Sequence, residues 1–68
     1  MTFDIKQLAK DIKYKRSNNN LSYRMASEQI GVSGAALCRI EKKQIPDIDT
    51  FVKIVSWLNS DSERYFKK

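Results

Sequence analysis

Apolar residues recur along the chain at spacings of three and four, and the polar breaks between them divide it into helical segments. Ile5, Leu8, Ala9 and Ile12 fall on one face of a first helix. It begins at Thr2 or at Asp4, the latter with Gln7 three positions on as a capping box, and runs to about Ser17, where Asn18, Asn19 and Asn20 end it. Ser22 caps a second helix over 23–30, and Gly31 provides the left-handed exit that a residue without Cβ takes at no steric cost. Ser33 is the next N-cap, for a helix from 34 to about 43. There Leu37 and Ile40 share one face, flanked by Ala36 and Glu41, while Gly34, Ala35, Cys38, Arg39 and Lys42 point the other way. Ile45-Pro46-Asp47 breaks the chain, because proline disfavours helix in the residue before it and Asp47 is a good cap. A fourth helix over 48–58 carries Phe51, Ile54, Val55 and Leu58 as an inward stripe, with Asn59 as its terminator. Asp61 then caps a last short helix from 62 to about 66. The expectation is an all-α fold of five helices forming one domain over 1–68.

Two short helices joined by a tight turn, at about 22–30 and 33–43 with their caps, follow the grammar of a DNA-reading helix-turn-helix. The run LSYRMASEQIGVSGAALCRIEKK resembles the lambda-repressor and Cro-like, or xenobiotic-response-element type, family. Leu21, Ser22, Ile30, Gly31, Val32, Ser33, Leu37, Ile40 and Glu41 carry the resemblance, which extends upstream to Arg16 and downstream to Pro46 and the helix over 51–58. Roughly residues 5 to 66 fit, nearly the whole chain. What the resemblance implies is a compact five-helix, lambda-repressor-like DNA-binding domain.

Composition narrows the options independently. A chain of 68 residues with 41% apolar content makes one small domain with no room for a sensor, held by helix packing and often by dimerisation. The single Cys38 cannot form an internal bridge, and with no His it argues against a zinc site, so neither metal nor cofactor is expected. A cytoplasmic setting fits a lone thiol. No apolar run approaches the roughly 20 residues of a membrane span, and the start MTFDIKQLAK lacks a secretory h-region. Residues 1–43 hold nine Lys or Arg against four acids, whereas residues 44–68 hold four against four. The whole net charge of +5 therefore lies in the half that contains the motif, as a phosphate-binding surface requires, although RNA, acidic proteins and anionic membranes would attract it too.

The resemblance also implies roles for individual residues. The second motif helix would enter the major groove, placing Ser33, Gly34, Ala35, Cys38 and Arg39 toward base edges. Arg39 alone among them can make a bidentate bond to guanine, while Ala35 can touch a thymine methyl and Ser33 a base or phosphate. Relatives carry larger side chains where this chain has Gly34, Ala35 and Ala36. Specificity would then come from Arg39 and DNA deformability, or the face would have turned toward a protein partner. Ser22 and Tyr23, at a helix N-terminus, are phosphate candidates, with packing of the Tyr23 ring between the first two helices an equal reading. Lys42, Lys43 and Gln44 would track the backbone on the other side, Lys43 replacing a Gly common in the family and so reshaping the loop; the alternative is a solvated loop. Arg16 and Glu41 are expected as a structural ion pair across the first and third helices. Cys38 invites a redox-switch reading against a packing one. Trp57, Tyr65 and Phe66 are either core or dimer contacts, since relatives dimerise through this end.

A DNA-binding transcriptional regulator, a Cro-like or phage-like repressor dimer occupying two half-sites, accounts for motif, charge and size together. The alternative is an antitoxin or other protein-interaction module on the same scaffold, with a toxin as partner. An enzyme is the weakest class, because the acids fall on predicted caps and helix surfaces and no general base or nucleophile constellation appears.

Overall fold

Each helix begins where a side-chain oxygen meets an otherwise unpaired N–H of the first turn. In a computed structural model, which describes residues 2–67, Asp4 accepts from the Gln7 N–H, Ser22 from Met25, Ser33 from Ala36 and Asp47 from Thr50. These caps open α1 (Ile5–Asn18), α2 (Tyr23–Ile30), α3 (Gly34–Glu41) and α4 (Ile48–Leu58).

The four helices also end alike. Asn20, Gly31, Lys43 and Asn59 have φ of 53°, 91°, 71° and 57°, all left-handed. After each, the next N–H reaches back five residues: Leu21 to the Arg16 carbonyl, Val32 to Ser27, Gln44 to Arg39 and Ser60 to Val55, at 2.8, 3.1, 3.0 and 3.2 Å. These bonds satisfy carbonyls that a helix end leaves open, and they turn the chain sharply enough for three-residue connections such as 31–33.

The inward stripes converge on one core of Leu8, Ile12, Leu21, Ala26, Ile30, Leu37, Ile40, Phe51, Ile54, Val55 and Tyr65, with Phe3, Ile5, Val32, Trp57 and Leu58 packed against it. α2 and α3 pack on each other, α1 lies against α3, and α4 closes the far side.

The ends of the chain depart from expectation. Thr2–Phe3 (β1) is not the start of a helix but pairs antiparallel with Phe66–Lys67 (β2), Phe3 opposite Phe66. The fifth helix is a single 3-10 turn, Ser62–Tyr65, at whose start Asp61 forms no side-chain cap. The architecture is thus mostly helical, with four α-helices, the 3-10 turn and this short ladder among the described residues. α3 stops at Glu41 rather than near 43, because the left-handed Lys43 ends it. The capping box is half formed: the Asp4 N–H donates to the Tyr65 carbonyl at 2.6 Å, and the Gln7 amide turns to Asp11 at 2.8 Å. The first exchange follows from the C-terminal segment docking beside the N-terminal one, and the second is local to α1.

Candidate nucleic-acid interface

The geometry of the candidate site starts at Arg16, in the last turn of α1. Its Nε donates to Glu41 Oε2 at 3.0 Å, one terminal nitrogen to Glu41 Oε1 at 3.3 Å and the other to the Leu21 carbonyl at 3.3 Å. The Tyr23 ring lies against the guanidinium, 4.4 Å from centroid to Cζ. One cation thereby ties the end of α1, the start of α2 and the end of α3 together. The hydrogen bond to Glu41 raises the Arg16 pKa further above its ordinary value. Both side chains are mostly buried, at 19% and 9% exposure, and bonded to each other, which is the geometry of a structural ion pair.

This arrangement engages Tyr23. Its hydroxyl faces Glu41 Oε1 at 3.4 Å and its ring covers Arg16, while the residue stays partly exposed, at 39%. The Glu41 charge raises its pKa, since a second anion beside that carboxylate is disfavoured. Ser22 also spends its hydroxyl oxygen internally, on the Met25 N–H at 3.2 Å, while remaining exposed.

The predicted base-facing residues differ in exposure. Ser33, Ala35 and Arg39 are exposed along α3, whereas Cys38 is half-buried. Gly34 is half-buried as well, and a Cβ there would lie 3.8 Å from Oγ of the buried Ser27 on α2. It therefore lies beside the α2–α3 contact. Arg39 folds its Nε back to the Ala35 carbonyl at 3.3 Å and lines a groove of about 310 Å³ with Gln44, Pro46, Asp47 and Thr50. Its two terminal nitrogens keep their donors for a ligand.

Lys42, Lys43 and Gln44 are exposed in the turn after α3. On the side of this turn toward α1, a second groove of about 470 Å³ gathers Lys6, Lys10 and Lys13 with Lys42 and Lys43, over a floor that includes Arg16, Tyr23 and Glu41. The three α1 lysines are absent from the residues singled out in sequence. Their spacing, i, i+4 and i+7 on the polar face of α1, was the available signal.

The proposed dimer residues separate as well. Tyr65 is fully buried, its hydroxyl 2.8 Å from Asp11 Oδ2, so it is a core residue with no surface to offer a second copy. Trp57 donates from its indole to Gln29 at 3.1 Å and stacks under the Lys15 ammonium, which also bonds the Trp57 carbonyl, so it joins α1, α2 and α4 within one chain. Phe66 packs edge-on to Phe3 and Phe51 and stays partly exposed. No helix among the described residues is long and apolar enough to cross a membrane, and no group of three or more potential ligands there could hold a metal ion.

No protein-family model, curated protein or solved structure matches the chain.

Proposed function

We propose that the protein is a sequence-specific DNA-binding regulator of the lambda-repressor and Cro-like type, acting by operator occupancy as a homodimer on double-stranded DNA. One observation carries it: Ala35 and Arg39, about one turn apart on α3, are exposed beside a turn that holds the exposed cations Lys42 and Lys43, with the exposed N-cap Ser33 at the start of the helix. A helix about 12 Å long with a clear edge fits the major groove, and cations at its end would hold it in register through the phosphates. Arg39 supplies the strongest base discrimination, about 1 to 3 kcal/mol for a bidentate guanine contact. Ser22 and Gln44 add backbone contacts on either side.

The test is binding to DNA upstream of the protein's own coding region, against random duplex, at several salt concentrations, for wild type and Arg39→Ala. Specific binding with a steep salt slope, and loss of base preference in the variant, is expected. Equal weak binding to every duplex would remove specific recognition.

A second reading, an antitoxin or other protein-interaction module, is favoured by the exposed apolar residues Ile45, Ile48 and Val52 around the start of α4. Co-purification of one stoichiometric partner that is lost on Ile48→Asp/Val52→Asp, with no specific DNA binding, would select it.

A further inference from the structure

We propose that the groove between α1 and the turn after α3 is a second phosphate-binding track, which carries duplex DNA beyond the segment lying under α3. The proposal rests on the regulator reading above and adds to it a surface on α1. Lys6, Lys10 and Lys13 share one face of α1, and that face opens onto Lys42 and Lys43.

The charge of this groove is free to act on a ligand. None of its five lysines forms an ion pair among the described residues, and the acid that lines the groove, Glu41, is bonded to Arg16. Glu41 lies in the floor, but the Arg16 guanidinium offsets it, so five lysine charges remain uncompensated. Net charge alone would be satisfied by any polyanion; shape and lining decide between them. The lining offers only Ala9 and the Tyr23 ring as apolar surface, too little to anchor the aromatic hot spot of a protein interface or the apolar face of a membrane-lying helix. Lysine ammonium groups act as point charges that suit phosphate without a fixed angular requirement.

Length fits as well. From Lys6 to Lys13 the helix rises by roughly 10 Å, which matches about three base-pair steps of one strand. Because Lys42 and Lys43 line this groove and directly follow α3, a strand held there by the recognition helix continues onto α1. The Arg16–Glu41–Tyr23 cluster under the groove fixes the angle between α1 and α3, so the lysines are presented on a rigid floor.

The experiment compares wild type with Lys6→Gln/Lys10→Gln/Lys13→Gln on two duplexes that share the bound sequence. One ends at the segment covered by α3 and the other extends it by about one helical turn on each side. Wild type is expected to bind the long duplex more tightly. The triple variant is expected to melt at the wild-type temperature, keep base preference and lose the gain from length. Its salt slope on the long duplex falls by about 2.7, from about 0.9 per phosphate contact, which is roughly a 40-fold smaller affinity change between 50 and 200 mM salt. Should the triple variant fold poorly, Lys10→Gln alone must lower the slope by about 0.9. An unchanged slope and length dependence, with specific binding intact, overturns the track and leaves the regulator reading standing. If wild type binds all duplexes equally, that reading fails while the slope difference still decides the track. Loss of binding to polyglutamate with no change on DNA would assign the groove to an acidic protein and overturn it.

Discussion

Arg16 and Glu41 stand 25 positions apart in sequence and share two hydrogen bonds, at 3.0 and 3.3 Å, that close the triangle of α1, α2 and α3. Because both are mostly shielded from water, removing one strands the other's charge. Glu41→Ala is expected to cost about 3 kcal/mol, the low end for a buried pair because Arg16 retains some solvent access. Glu41→Gln, which keeps the shape and one acceptor, loses less. Urea denaturation of both variants checks this, and an unchanged midpoint for Glu41→Ala would show that the pair adds nothing to the fold.

Lys43 combines two effects that a single substitution separates. Its φ of 71° places a Cβ-bearing residue in the left-handed region, at the position where a helix exit favours glycine. Asn20 and Asn59 take the same conformation, but asparagine tolerates it better than lysine does. Lys43→Gly is therefore expected to stabilise the fold by about 1 kcal/mol, and to raise the melting temperature by about 5 °C, while removing one phosphate contact and about 0.9 from the salt slope. Opposite signs in the two measurements would separate the backbone effect from the charge. A fall in both would mean that the lysine side chain supports the turn.

Acid should loosen the C-terminal turn first. Burial pushes the Asp11 carboxyl upward, but hydrogen bonds from Arg64, Tyr65 and Gln7 outweigh it and hold the pKa below the ordinary aspartate value. A group whose pKa is lower folded than unfolded adds stability that is complete above the unfolded value, about 3.9, and is lost as pH falls through the folded one. Asp47, lowered by its cap hydrogen bond to Thr50, acts in the same direction. Wild type should thus lose stability below about pH 4, and Asp11→Asn should be less stable at pH 7 yet lose less on acidification. Thermal melts between pH 7 and pH 2 report this as converging curves; parallel curves would exclude Asp11 as a source of the slope.

The helices were legible because their signals are local. Ser22, Ser33 and Asp47 cap within three residues of themselves, Gly31 turns the chain alone, and the stripes Leu8–Ile12, Leu37–Ile40 and Phe51–Val55 need only the helical period. What escaped depends on segments distant in sequence. No local pattern at Thr2–Phe3 announces a strand, since its partner is Phe66–Lys67 at the other end of the chain. That ladder draws Tyr65 inward and makes a core residue of an expected interface residue. Helical phase places Gly34 outward, and only the fold shows that α2 passes close enough for Ser27 Oγ to lie 3.8 Å from a Cβ there. The α1 lysines belong to the candidate site only once α1 and the turn after α3 have met.

Tyr65 and Phe66 are adjacent in sequence but should differ sharply under substitution. Tyr65 is fully enclosed, its ring edge-on to Phe51 and its hydroxyl on Asp11, whereas Phe66 keeps 39% of its surface in solvent. Truncating the first opens a cavity and removes a donor from a carboxylate. Tyr65→Ala is therefore expected to cost about 4 kcal/mol, Tyr65→Phe about 1 kcal/mol and Phe66→Ala about 1 kcal/mol. Because the Tyr65 ring acts within one protomer, the loss should be the same at every protein concentration. Denaturation at two concentrations a hundredfold apart tests this. A Tyr65→Ala deficit that changes with concentration would place the ring in a contact between copies, and would return to Tyr65 the interface role that its burial removes.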